Sequence, residues 1–97
     1  MGWATSYIVD LQAGKTVKFR PRGNSMTPLV KDGQLVTVEP LVGLPAVGDV
    51  VLCKVNGSEY LHLVKAVQGE RVLIGNNKGK TNGWTKSVFG RCTKIED

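Results

Sequence analysis

Short runs of β-branched and other apolar residues alternate with turn residues along the chain, and an apolar repeat with helical spacing is almost absent. This alternation, interrupted by twelve glycines, predicts an all-β barrel or sandwich. The predicted strands are Trp3–Val9, Thr16–Arg20, Gln34–Glu39, Asp49–Val55, Glu59–Val67, Arg71–Ile74 and Ser87–Ile95.

Turn residues separate these strands. Asn56-Gly57 predicts a type I′ hairpin turn, because both central positions of that turn need a positive φ. Asp32-Gly33 turns the chain into the third strand, and Pro40 is expected to end it because proline has no N–H to donate. The polar segment Gly75–Gly83 predicts a long loop, and loops of this kind often carry function.

The length of 97 residues fits a single domain over residues 1–97, with residues 1–20 as N-terminal strands or an extension. The net charge of +5 is compatible with nucleic acid, but the cations are scattered, so we favour a solvated basic surface. Residues 1–10 lack the features of a secretory signal, and no apolar run approaches the roughly 20 residues of a membrane helix. We therefore expect a cytoplasmic protein without a membrane anchor.

Cysteine and histidine are too few to assemble a metal site. The chain has two cysteines, Cys53 and Cys92, and one histidine, His62, and it contains no Cys-x-x-Cys pair. We expect two free thiols in a reducing compartment, with no metal and no cofactor.

The most informative segment is Gly23–Pro28, with the sequence Gly-Asn-Ser-Met-Thr-Pro. Pro21 and Pro28 constrain its two ends and place Ser25 at a junction between strand and turn, where backbone N–H groups are exposed. Such a position suits a nucleophile beside an oxyanion hole. The simpler interpretation is that Ser25 or Thr27 caps the short turn. These residues alone favour the simpler interpretation.

This segment resembles the Gly-x-Ser-Met-x-Pro motif of type I signal peptidases and of LexA-like self-cleaving repressors. Further blocks resemble that superfamily in the same order: Asp32-Gly33, Val47-Gly48-Asp49-Val50-Val51, Gly75-Asn76-Asn77 and Phe89-Gly90-Arg91. The resemblance covers roughly residues 23–95. It implies a small β-barrel or sandwich, a short helical turn after Ser25, and Ser25 as the nucleophile of a serine endopeptidase.

The general base has two candidates on the strand Glu59–Val67. Bacterial members of the superfamily use a lysine, for which Lys65 is the candidate, whereas archaeal-type and endoplasmic-reticulum-type signal peptidases have a histidine, which His62 resembles. Successive side chains of a strand point to opposite faces, so only one of the two faces Ser25 unless a bulge intervenes. We favour His62, because imidazole accepts a proton near neutral pH whereas a lysine must first be desolvated.

The histidine-type members of the superfamily have a downstream aspartate as the third residue of a triad. The corresponding loop of this sequence contains no aspartate. The predicted loop offers Asn76, Asn77 and Asn82 instead, and Asn77 is selected together with Asn24 as an orienting or oxyanion-stabilising residue. The Ser25 N–H is expected to be the main oxyanion donor.

Two functions follow from these residues. The first is a serine endopeptidase that uses a Ser25–His62 dyad to cut itself or a partner protein. Ala13-Gly14 is similar to the Ala-Gly bond that self-cleaving repressors present to their own serine. The second is a weak or inactive relative that binds protein or nucleic acid, which the missing lysine and aspartate favour. The oligomeric state stays open, and a bare core domain without a DNA-binding region is expected.

Overall fold

The computed structural model describes residues 2–97, in which one short helix precedes seven strands. The elements are α1 (Thr5–Gln12), β1 (Val17–Phe19), β2 (Leu35–Pro40), β3 (Val50–Val55), β4 (Ser58–Gln68), β5 (Arg71–Gly75), β6 (Thr81–Thr85) and β7 (Val88–Glu96). Among these residues, no helix has both the length and the apolar character needed to span a membrane.

All seven strands form one antiparallel sheet in the order β1-β2-β7-β3-β4-β5-β6. This confirms the all-β prediction, although the sheet does not close into a barrel. It curls so that the β6 end approaches β3, where the Thr85 hydroxyl donates a hydrogen bond to the Lys54 carbonyl at 2.7 Å. The curled sheet therefore has an enclosed concave face.

Two apolar cores lie on opposite faces of β3 and β4. The large core collects residues of α1, β1, β2, the segment after β1, β3 and β4, while the small core lies within the curl of β3, β4 and β5. Strand β3 supplies both cores because successive side chains alternate between faces: Leu52 enters the large core, and Val51 and Cys53 enter the small one. The histidine of the chain, His62, lies on β4 between these two cores.

The β3–β4 hairpin follows the sequence pattern closely. Its register runs from Val50 opposite Leu63 to Val55 opposite Ser58. Asn56 and Gly57 have φ values of 50° and 84°, which confirms the predicted type I′ turn.

The prediction of a strand over Trp3–Val9 was wrong, because this segment enters helix α1. Ala4, Ile8 and Leu11 are buried at helical spacing and pack into the large core. No local side chain caps the helix. The Glu59 carboxylate on β4 does so instead, accepting hydrogen bonds from the Ala4 N–H at 2.7 Å and the Thr5 hydroxyl at 2.8 Å. Long-range contacts thus outweigh the local strand preference of this segment.

The prediction of a loop over Gly75–Gly83 was wrong at its end, where β6 begins at Thr81. A compact turn forms because the Asn76 side chain accepts hydrogen bonds from the N–H groups of Lys78 and Lys80, at 2.8 and 3.0 Å. The β5–β6 register shifts within this hairpin: Ile74 lies opposite Gly83 and Gly75 opposite Thr81. Asn82 is therefore the extra residue of a β-bulge.

Candidate active site

Ser25 lies in the turn that follows β1. The Val30 N–H donates a hydrogen bond to the Met26 carbonyl at 3.0 Å, which makes a single helical turn after Ser25, as predicted. Met26 and Val30 are buried in the large core and leave Ser25 exposed. The Thr27 hydroxyl donates to the Asn24 carbonyl at 2.9 Å. The Thr27 hydroxyl therefore bonds back to a carbonyl of the turn, and within residues 2–97 neither the Thr27 nor the Ser25 hydroxyl accepts a hydrogen bond from a backbone N–H as a cap would.

Three hydrogen bonds position this turn. The Asn77 backbone N–H donates to the Ser25 carbonyl at 3.0 Å, and the Asn77 side-chain amide donates to the Thr27 carbonyl at 2.9 Å. On the other side, the Gly23 N–H donates to the Asp32 carboxylate at 2.7 Å. Asn77 thus holds the backbone around Ser25, and its predicted role as an orienting or oxyanion-stabilising residue stays a prediction.

His62 faces Ser25 from strand β4. The Ser25 Oγ and His62 Nε2 atoms are 3.2 Å apart, within hydrogen-bond reach. The register with β3, in which His62 lies opposite Val51, sets the face of the sheet on which the imidazole lies. The ring is half-buried and stacks on Tyr60 with 4.9 Å between ring centroids. Strand pairing and ring stacking together fix the imidazole beside the serine.

Asn82 contacts the other nitrogen of the imidazole. Its Oδ1 atom lies 2.7 Å from His62 Nδ1. An amide oxygen only accepts hydrogen bonds, so this contact selects the neutral tautomer with its proton on Nδ1. Nε2 is then unprotonated and can accept a hydrogen bond from the Ser25 hydroxyl. The bulge at Asn82 supplies this contact, since bulges re-aim side chains out of the regular alternation.

Burial sets the protonation of His62. Desolvation disfavours the charged imidazolium and lowers the pKa of His62 below its usual value, while the hydrogen bond to Asn82 offsets part of this effect. The imidazole is therefore neutral at physiological pH, which is the state that a general base requires.

Lys65, the alternative base, lies on the opposite face. It is the extra residue of a bulge in β4, between Val64 opposite Ile74 and Ala66 opposite Leu73. Its Cε atom lies 3.0 Å from the position that a Cβ on Gly75 would occupy. Gly75 lies opposite Leu63, which faces the large core, so Lys65 lies on that face of the sheet. His62 precedes Leu63 in the strand and points to the other face. The bulge therefore does not bring the lysine to the serine.

The N–H groups of Ser25 and Met26 are adjacent in the serine turn. Within residues 2–97, neither N–H has a hydrogen-bond acceptor. Asn24 is exposed, and its side chain forms no hydrogen bond among the same residues. The backbone of the turn thus keeps two consecutive N–H donors available at Ser25 and its neighbour in the chain, and backbone donors of this kind can form an oxyanion hole.

Within residues 2–97, neither cysteine forms a hydrogen bond with Ser25, His62 or Asn82. Both are free thiols, and burial raises the pKa of Cys53 to about 12. Burial also raises the pKa of Cys92. Neither thiol is a thiolate at neutral pH, which is the form in which a cysteine is nucleophilic.

The site therefore consists of a hydroxyl, an imidazole and an amide in sequence: Ser25, His62 and Asn82. In the sequence, Asn82 is one of three asparagines in the predicted loop, and nothing in the residue pattern favours it over Asn77. The signal that separates them is the bulge in β6, which the residue pattern does not encode.

A model of the Peptidase S24-like family matches residues 4–84. The matched range contains the serine turn, β3, β4, β5 and Asn82. No curated protein matches the chain significantly.

Proposed function

Because the chain belongs to the Peptidase S24-like family, we propose that it is a serine endopeptidase with Ser25 as nucleophile and His62 as general base. The observation that carries this proposal is the 3.2 Å separation of Ser25 Oγ and His62 Nε2, with Nδ1 held by Asn82. A base adjacent to a hydroxyl and oriented by a third group is the arrangement that activates a serine.

In the first half of the reaction, Ser25 Oγ attacks the carbonyl carbon of a peptide bond and transfers its proton to His62 Nε2. The N–H groups of Ser25 and Met26 donate hydrogen bonds to the oxyanion that forms. The imidazolium then gives the proton to the leaving nitrogen, the C–N bond breaks, and the acyl group stays on Ser25.

In the second half, His62 takes a proton from a water molecule that attacks the ester carbon. The imidazolium returns this proton to Ser25 Oγ as the ester bond breaks, which releases the carboxylic acid product. Asn82 keeps the imidazole in one orientation and tautomer throughout. As a neutral amide it supplies no counter-charge, so the imidazolium is stabilised less than by a carboxylate.

The substrate in this proposal is a polypeptide other than the chain itself. The Ala13-Gly14 bond lies at the hydrogen-bonded end of α1, where the Ala13 N–H donates to Val9 and the Gly14 N–H to Leu11. Self-cleavage at this bond requires the helix end to unwind first.

The location and the domain organisation are proposed on separate grounds. Two free thiols support a cytoplasmic location. Segments that are distant in the chain contribute residues to each apolar core, which supports one domain over residues 1–97.

A second function, in which the same site binds a polypeptide without cutting it, is favoured by one observation. The third member of the site is an amide, not a carboxylate. Reactivity of the serine separates the two functions.

The test is labelling with a fluorophosphonate, followed by mass spectrometry of the modified peptide. The wild type is expected to react at Ser25, Ser25→Ala to lose the label, and His62→Ala to react about 10²- to 10⁴-fold more slowly. Ser6→Ala, which alters an exposed serine on α1, is the matched control and should react like the wild type. Absence of a label on Ser25 from mildly acidic to alkaline pH, or a rate independent of His62, would replace the peptidase proposal with the binding function.

A further inference from the structure

A cavity of about 470 Å³ adjoins Ser25. It lies between the start of α1, the end of β1, the serine turn and β4. Its walls are aromatic: Phe19 stacks on Tyr7 with 4.5 Å between centroids and meets Trp3 edge-on at 5.6 Å. The volume falls within the range of about 300–1,000 Å³ that is usual for ligand sites.

The floor of this cavity is also apolar. Met26, Val30 and Leu61 line it and are buried, whereas Trp3 is 52% exposed at its edge. An alanine-sized side chain would leave most of this volume unfilled and would lose dispersion contacts on several sides. An aromatic or branched aliphatic side chain would fill it and remove the aromatic walls from water.

The rim of the cavity is cationic. Arg20, Arg22 and Lys31 line it and are exposed, and within residues 2–97 none of them forms an ion pair. Glu59 is the one acidic residue of the lining, but its buried carboxylate already accepts the two hydrogen bonds that cap α1. The charge available to a ligand is therefore positive.

We propose that this cavity is the specificity pocket of the site, which accepts a bulky apolar side chain of the substrate polypeptide while the rim selects an acidic residue beside it. This inference rests on the proposed function. Its link to the reaction is direct, because Ser25 itself lines the cavity, and so does Tyr60, whose ring stacks on His62.

Binding is measured first, without catalysis, in a Ser25→Ala, Trp84→Phe protein. Trp3 is then the single tryptophan and reports on the cavity by its fluorescence. The probes are three capped tripeptide amides: acetyl-Asp-Phe-Asp, acetyl-Asp-Ala-Asp and acetyl-Lys-Phe-Lys. Acetyl-Asp-Phe-Asp is expected to bind about 10- to 100-fold more tightly than either of the others.

Variants then locate the preference. Val30→Phe fills the floor and should reduce the affinity for acetyl-Asp-Phe-Asp to that for acetyl-Asp-Ala-Asp. Arg22→Glu with Lys31→Glu should reverse the preference between the acidic and basic peptides. Because Arg22 and Lys31 are exposed, this charge pair keeps the test decisive even if Val30→Phe fails to fold. Lys78→Glu, on an exposed residue outside the cavity, is the control for a change of charge.

Cleavage of a random decapeptide library by the wild-type protein, which keeps Ser25, completes the test. Enrichment of large apolar residues at one position near the cut bond, with Asp or Glu next to it, supports the pocket. Cleavage without such enrichment overturns the pocket and leaves the peptidase intact. Selective binding of acetyl-Asp-Phe-Asp without any cleavage supports the pocket and overturns the peptidase. Equal binding of the three peptides, or no binding, overturns the pocket.

Discussion

The two halves of the site are held in different ways. His62 belongs to β4, which is hydrogen-bonded to β3 on one side and to β5 on the other. Ser25 belongs to a turn that is held by Asn77, by Asp32 and by the burial of two neighbouring side chains. The strand half therefore depends on many shared contacts, and the turn half on a few specific ones.

This difference separates stability from reactivity. A strand between two partners moves only when the sheet does, so that damage to its core reduces the folded population more than it alters the folded site. A turn held by single hydrogen bonds, each worth about 1 kcal/mol, shifts locally when one of them is removed. Substitutions in the strand half should mainly lower the stability of the fold, and those in the turn half should mainly lower the rate at which Ser25 is labelled.

The largest expected effect is on stability. Ile74, fully buried in the small core, lies on β5 beside the histidine strand. Ile74→Ala leaves a cavity and should lower the free energy of unfolding by about 2–5 kcal/mol, as measured by urea denaturation. Under conditions where the protein stays folded, the rate of Ser25 labelling should change less than about two-fold. Leu73→Ala, at a half-buried neighbour, is the control with a smaller loss. A labelling rate that falls in proportion to stability would show that the two halves are not separable.

The next largest effect is on the rate of Ser25 labelling. Asn77→Ala removes the hydrogen bond to the Thr27 carbonyl and should slow labelling of Ser25 by about ten-fold, at a stability cost of about 1 kcal/mol. Thr85→Ala removes two side-chain hydrogen bonds from the strand half, one to the Lys54 carbonyl and one from the Ser87 N–H, and should cost at least as much stability without changing the labelling rate. Equal rates for Asn77→Ala and Thr85→Ala would contradict the distinction between turn and strands.

The smallest expected effect is a change of pH dependence. Protonated His62 cannot act as a base, so labelling should rise with pH and reach its plateau below the usual range of histidine, because burial lowers the pKa of His62. Asn82→Asp places a carboxylate at Nδ1, which stabilises the imidazolium and raises the pKa of His62. The rise of the Ser25 labelling rate with pH should then occur at higher pH, as recorded by labelling rates across the pH range. Asn82→Ala lacks the added charge and serves as the control. An unmoved limb in Asn82→Asp would show that the residue at position 82 does not act on the imidazole.

The residue pattern predicted the strand half well and the N-terminal segment poorly. Alternation and the Asn56-Gly57 turn are local signals, and they specify the β3–β4 hairpin that carries His62. Helix α1 lacks a local cap, and its cap is a carboxylate from β4 that is distant in the chain. A window over Trp3–Val9 does not contain that partner, so its β-branched and aromatic residues suggested a strand.

The sequence by itself determined the all-β class, the hairpin turn, and the two residue types, serine and histidine, that occupy the centre of the site. The tertiary structure alone decided which asparagine meets the imidazole, which face Lys65 occupies and where an aromatic cavity opens beside Ser25. The physical reason is range: alternation and turn chemistry act between neighbours in the chain, whereas a bulge, a curled sheet and a helix cap from another strand exist only once distant segments have packed together.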